Sequence, residues 1–241
     1  MVSVSLIILT RNEEKIVEQN LKMISAYMKQ LKNIDDYEIL ISDKSEDSTP
    51  KIVRSLAAED SGIRYCEVRN KGIGAGIKHG IDQSKYDYLI IYQIDLSYNI
   101  DIIEDLFNEL LKGYDLVYGS RYQKGAIIRR PLKRRIFSFA NRIVIKILFN
   151  LKIKDLNGVY GIRKSKIMKF RKLLESDDGF LPTEIAIYGK RNNLKMIEIP
   201  VNQYDLRHNS FRWAIRIGSK TLKNALKKRI KLWFERDKSD E

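Results

Sequence analysis

The sequence predicts a single α/β domain with a mainly parallel central sheet and helices on both faces. Three observations predict it. Short apolar runs alternate with stretches of helical spacing through the first 120 residues, the pattern of strands joined by crossover helices. The chain has 241 residues, 44% of them hydrophobic, enough to bury one large core. Finally, YDYLIIYQIDLSY at 86–98 reads as a buried strand with a carboxylate, Asp95, at its C-terminal tip, where such sheets bind ligands.

The elements follow in order. Residues 4–9 form a continuous apolar strand. Residues 13–31 are helical, with Ile16, Leu21, Ile24 and Met28 on one face. A second strand spans 37–42. A helix spans 49–58 and carries Pro50 in its first turn, where the missing N–H costs nothing. Strand 63–68, helix 74–84, strand 88–94, helix 102–112 and strand 115–119 complete the first half. The second half differs: from Leu116 to Lys154 there is no Asp or Glu but there are eleven Lys and Arg. Within it, 136–149 is apolar on nearly every side. Strands are expected near 159–163 and 195–201, with helices at 166–174 and 183–191. Residues 211–231 form a basic amphipathic helix. The expected division is a domain over 1–210, with a ligand half to about 120 and a second half from 121, followed by this helix and tail over 211–241.

The net charge of +14 implies an anionic partner. Nucleic acid is set aside, because the Lys/Arg clusters lack interleaved aromatic platforms for stacking bases. A single cysteine, Cys66, excludes an intrachain disulfide, and two histidines, His79 and His208, leave little room for a histidine metal centre. The N-terminal apolar run is too short to span a membrane and lacks a basic start. A cytoplasmic protein on the cytoplasmic face of a membrane is expected.

Several motifs carry chemistry. Asp43 ends the second strand, where a carboxylate can accept hydrogen bonds from a base or ribose; Asp47, Ser48 and Thr49 beside it also suit a helix N-cap. NKGIGAG at 70–76 opens a helix, and its glycines suit either a tight turn or a phosphate cradle. Its place after the third strand counts against a dinucleotide fold. In QIDLS, Asp95 and Gln93 point the same way along a strand. They can hold Mg²⁺ or Mn²⁺ weakly, with substrate phosphates completing the shell.

Taken together, LTRNEE, ISDKSEDST, NKGIGAGIKHGI, QIDLS, YGSRY, PLKRRIFSFANR, DLNGVYGIRK and IPVNQYDLRHNS occur in the order of the motifs of glycosyltransferase family 2. The chain resembles that family over roughly residues 3 to 212, and most closely its dolichyl- or polyprenyl-phosphate mannosyltransferases. The resemblance implies the GT-A fold and inverting transfer of a hexose from a nucleotide-sugar, GDP-mannose or UDP-glucose. It places Thr10, Asn12, Glu13, Asp43, Gly72 and Gln93 beside the nucleotide, with Arg207 and Arg212 near the diphosphate and the cation on Asp95 and Gln93. For a lipid-phosphate acceptor, Arg121, Arg134 and Arg135 would clamp the phosphate and Ser138 would donate to it. No base is then needed, since the second pKa of a phosphate monoester is about 6. A hydroxyl acceptor would need one, and Glu184 is the candidate. The sequence departs from the family at Leu9, Ser42, Gln93 and Gly161, which stand for proline, aspartate, aspartate and arginine. These departures bear on metal affinity and the choice of donor, and keep open a non-catalytic module that binds nucleotide-sugar or membrane; a glycan or small-molecule hydroxyl is the alternative acceptor within the same fold. If the acceptor is a polyprenyl phosphate, the apolar 136–149 segment and the C-terminal helix would meet an anionic membrane surface.

Overall fold

The computed structural model describes residues 2–129, 132–204 and 211–237, without the side chains of 132–138, 140, 141, 211–219 and 234–237. Seven strands form the sheet: β1 (Ser3–Thr10), β2 (Asp36–Asp43), β3 (Ile63–Glu67), β4 (Tyr88–Gln93), β5 (Leu116–Ser120), β7 (Tyr160–Arg163) and β8 (Met196–Pro200). Their spatial order is β3-β2-β1-β4-β7-β5-β8. All neighbours are parallel except β7, which runs antiparallel between β4 and β5. A separate parallel pair joins β6 (Ile128–Arg129) to β9 (Gln203–Tyr204).

Strand residues alternate between two cores, as the period of two requires. Ile7, Leu40, Leu89 and Ile91 face one core, together with α3 (Ile73–Gln83) and α7 (Leu181–Arg191). Leu6, Ile8, Ile39, Ile41, Ile90 and Tyr92 face the other, against α1 (Val17–Gln30), α2 (Thr49–Glu59) and α4 (Ile102–Leu111). Each fully buried Leu or Ile contributes about 1.5–3 kcal/mol, so both layers are structural necessities. The helix α5 (Leu132–Phe149) packs against α8 (Phe211–Asp237), and Ile145, Phe149, Ala225 and Leu232 tie the pair into the first core.

Two expectations are corrected locally. α1 starts at Val17 rather than 13, because Glu13 turns into the loop and its N–H donates to Thr49 Oγ1 at 2.9 Å. The helix expected over 166–174 splits into α6 (Lys164–Met168) and a 3₁₀ turn (Arg171–Leu173), as Phe170 drops into the core and stacks on Tyr188. Gly161 lies inside β7, where a Cβ would meet Leu110 at 2.9 Å and Ile90 at 3.3 Å, so no larger side chain fits there. No helix among the described residues is long and apolar enough to cross a membrane.

Candidate active site

The chain leaves β1 for β2 and β3 on one side, then crosses to β4 on the other. The sheet therefore has a switch point between the C-terminal ends of β1 and β4, where Leu9 pairs with Gln93, and such crevices bind ligands. A cleft of about 360 Å³ opens there. Leu9, Thr10, Arg11 and Glu13 line it from β1, Ser42 and Lys44 from β2, and Gln93, Ile94 and Asp95 from β4. Val68 and the turn Gly72, Ile73 and Gly76 close it from the start of α3.

Of the residues proposed from sequence, the fold thus brings Thr10, Glu13, Gly72, Gln93 and Asp95 to one cavity. Asp95 Oδ1 accepts the Ser97 N–H at 3.1 Å, and Gln93 Oε1 lies 3.4 Å from Ser97 Oγ. Ser97 thereby turns both oxygen-bearing groups toward a common side. This donor set is hard and oxygen-only, with one carboxylate, and no group of three His, Cys, Asp or Glu suited to a metal occurs among the described residues. It fits a Mg²⁺ or Mn²⁺ ion that depends on ligand phosphates for most of its shell.

Asp43 does not face the cleft. Its side chain is fully buried and accepts Thr10 Oγ1 at 2.7 Å, Ser45 Oγ at 2.5 Å, Ser45 N at 3.2 Å and Tyr65 OH at 3.1 Å. Burial and the neighbouring Asp43 carboxylate push the Tyr65 phenol up to about 12, so it remains a donor. Asp43 therefore fixes the β1 and β2 loops, and the expected nucleotide contact is corrected to a scaffold role. Asn12 is likewise outside the lining: it adopts φ 58°, its N–H donates to Ser45 Oγ, and its Oδ1 accepts the Glu46 N–H, both at 2.8 Å.

Two further expectations meet buried ion pairs. Arg121 was expected at an acceptor phosphate. Its guanidinium instead grips Asp155, with Nε to Oδ2 and Nη2 to Oδ1 each at 2.7 Å, and also donates to Asn157 O and Gln203 Oε1. Glu184, the candidate base, is 1% exposed. Its Oε1 lies 2.6 Å from Lys228 Nζ, while Oε2 accepts the N–H groups of Glu175 and Ser176 at 3.0 and 2.9 Å. It is a structural anchor with no free oxygen for a substrate hydroxyl. Arg134, Arg135 and Ser138 lie on α5 and Arg212 on α8, but their side chains, and Arg207 entirely, are outside the described residues.

The turn at 70–76 also resolves. The N–H groups of Gly74 and Ala75 both donate to Asp177 O, at 2.9 and 3.2 Å. The start of α3 is thus already occupied by protein and is not a phosphate cradle. Gly72 has φ 132°, a conformation other residues rarely adopt.

Sequence reasoning missed Arg11, Ser42 and Lys44. Ser42 was legible from period two, since it must face opposite to Asp43; it lines the cleft, and its Oγ donates to Gly76 O at 2.8 Å. The cations follow directly after Thr10 and Asp43, the last residues of β1 and β2.

A profile of glycosyl transferase family 2 matches residues 5–174. The chain belongs to glycosyl transferase family 2. Among its relatives, the glycosyltransferase AglD of Haloferax volcanii is 25% identical over 205 residues, covering 83% of this chain and 33% of the relative. The dolichol-phosphate mannosyltransferase of Pyrococcus furiosus is 28% identical over 204 residues, covering 82% of this chain and 55% of that one. A prophage bactoprenol glucosyl transferase homolog of Escherichia coli is 24% identical over 192 residues, covering 79% and 61%. The chain thus spans between a third and three-fifths of these family 2 relatives. In fold it is similar to glucosyl-3-phosphoglycerate synthase of Mycobacterium tuberculosis bound to UDP, with a TM-score of 0.69, 15% identity, and coverage of 95% of this chain and 80% of that one. The same enzyme has been solved with Mn²⁺, UDP-glucose and phosphoglyceric acid (TM-score 0.68). The family 2 chain described here therefore has a GT-A-like fold.

Proposed function

We propose that this protein moves a hexose, mannose or glucose, from a nucleotide-sugar to a polyprenyl or dolichyl phosphate at a membrane surface, with inversion. The observation that carries the donor half is the convergence of Asp95, Gln93, Arg11 and Lys44 on one cleft at the switch point. Asp95 and Gln93 would hold a divalent cation, which supplies Lewis-acid stabilisation of a departing diphosphate. Arg11 and Lys44, which also line the cleft, add positive charge that would stabilise the leaving diphosphate. Leu9, Val68 and Ile73 offer an apolar wall for the nucleoside.

The commitment of Glu184 to Lys228 favours the lipid phosphate over a hydroxyl acceptor. An ionised phosphate oxygen attacks without a base, whereas a sugar hydroxyl needs one. The names of the Pyrococcus and Escherichia relatives support the same choice. So does the surface of the helix pair. α5 exposes Phe139, Ile143 and Ile147, and α8 exposes Leu222, Leu226, Ile230 and Trp233, each at one-turn spacing. Exposed Lys146, Lys223, Lys227 and Arg229 lie among them. Apolar stripes bordered by lysine suit the interface of an anionic leaflet.

The test is a transfer assay with radiolabelled GDP-mannose or UDP-glucose, Mn²⁺ and a polyprenyl phosphate in vesicles. Label entering the organic phase is the expected result, and label confined to the aqueous phase with a glycan acceptor would favour the hydroxyl reading. Co-sedimentation with anionic vesicles at low salt checks the membrane surface. A protein that stays in the supernatant would remove that part of the proposal.

A further inference from the structure

The structure assigns a positioning role to the inner face of α8. Through the segment Glu175–Asp178, Lys228, Lys231, Asn224 and Lys220 hold the Gly72–Gly76 turn that closes the donor cleft. This inference rests on the proposed reading of that cleft as the nucleotide-sugar site.

The segment lies between two supports. From the α3 side, Gly74 and Ala75 donate backbone N–H groups to Asp177 O, and Lys78 pairs with the Asp177 carboxylate at 2.7 Å and donates to Glu175 O at 3.2 Å. From the α8 side, Lys228 bridges Glu184 at 2.6 Å and Glu175 at 3.2 Å, and Lys231 also pairs with Glu175. Asn224 and Lys220 hold the Asp178 carboxylate at 3.0 and 2.9 Å. Contact with the turn is tight: a Cβ on Gly72 would sit 2.0 Å from Asp177 O, and one on Gly74 would sit 2.7 Å from both Ser176 O and Asp178 O. The segment cannot shift toward α3 without moving residues 72–76, and Gly72, Ile73 and Gly76 line the cleft.

Contact this close passes a displacement of the segment on to the turn, since there is no gap between them to absorb it. The 27-residue helix α8 therefore belongs to the donor site, although none of its described residues lines the cleft. Its outer stripe and its inner lysines lie on one rigid element. Seating of the stripe on a surface would be felt at the segment.

The test is titration of the full chain with UDP and GDP in the presence of Mn²⁺, read by calorimetry, together with donor and acceptor KM. Lys231→Ala is the informative variant, since its pair is partly exposed and its loss leaves no buried charge alone. It is expected to weaken nucleotide binding about two- to thirtyfold, with donor KM rising and acceptor KM unchanged. Lys231→Arg should restore most of the loss. Gly74→Ala approaches the same segment from α3 and should act in the same direction, while Lys22→Ala, at an exposed lysine on α1, should have no effect. Amide exchange at Gly74 and Ala75 should quicken in Lys231→Ala. Unchanged nucleotide affinity and unchanged exchange in Lys231→Ala and Gly74→Ala, with wild type binding nucleotide, would overturn the positioning role alone. Wild type that binds neither nucleotide would overturn the proposed function, and this inference with it.

Discussion

Arg121 and Asp155 form a two-pronged ion pair, Nε to Oδ2 and Nη2 to Oδ1 both at 2.7 Å, with side chains 8% and 2% exposed. The Arg121 backbone N–H donates to the same carboxylate at 2.9 Å. The pair locks the end of β5 to the loop entering β7. Removing one partner of such a pair leaves a buried charge unmatched, which costs about 3–5 kcal/mol. Arg121→Ala and Asp155→Ala should each lower the urea midpoint by a corresponding amount, and the double variant should lose much less than the sum. Additive losses would mean that the two side chains do not act as a unit.

The cation site yields a gain-of-function prediction. Gln93 contributes a neutral oxygen where a second carboxylate would bind more tightly. Gln93→Asp should lower the Mn²⁺ concentration needed for half-maximal activity by about tenfold, about 1.4 kcal/mol in binding. Asp95→Ala should abolish transfer while leaving the thermal midpoint nearly unchanged, since Asp95 is only half-buried at the cleft. Retained transfer in Asp95→Ala would detach the cation from the chemistry.

Much of the fold was legible because strands and helices write different periods into the chain. The order of β1 to β5 and α1 to α4 followed from apolar spacing alone. Gln93 and Asp95 could be placed because a strand end fixes direction and each lies at or just past the last paired residue, whereas Thr10, Glu13 and Gly72 were placed by the family resemblance and also line the cleft. Asp43 was misplaced because its fully buried carboxylate is satisfied by Thr10 and Tyr65, one on a neighbouring strand and one on another. Glu184 reads as an exposed acid at the start of a helix until Lys228, 44 positions away, supplies its partner. Long-range pairs of this type have no local signature. Arg121 failed for the same reason, its partner Asp155 lying 34 residues on.

Two tyrosines in the core offer a stability test. The hydroxyls of Tyr118 and Tyr160 are buried and find no hydrogen-bond partner among the described residues, although their rings pack at 5.7 Å. A buried hydroxyl without a partner costs about 1–3 kcal/mol. Tyr118→Phe and Tyr160→Phe should therefore leave stability unchanged or raise it by about 1 kcal/mol, measured as the urea midpoint at constant slope. A loss above that size would place an unseen partner, such as an internal water, on the hydroxyl.

The contacts between α8 and the acidic segment predict a pH profile. The ion pair to Lys231, aided by Lys228 and opposed by burial, holds the Glu175 carboxyl below its ordinary 4.5. Burial works against the charged Asp178, but the Phe180 N–H and Lys220 outweigh it and hold Asp178 below 3.8. Groups depressed in the folded state bind protons more tightly when unfolded, so their contribution is present above the unfolded values and is lost as pH falls through the lower folded ones. On the basic side, burial opposes the charge on Lys228 but Glu184 and Glu175 overcome it, and the pair with Glu175 raises Lys231 as well, both above 10.5. That contribution is complete below the unfolded lysine value and is lost as pH rises through the folded ones. Attachment of α8 should be firm between about pH 5 and 10, weaken below about pH 4 and weaken again in strong alkali. Urea midpoints at pH 3.5 and pH 7 check the acid limb. Glu175→Gln should flatten it, and an unaltered acid limb in that variant would show that the segment's carboxylates do not govern it.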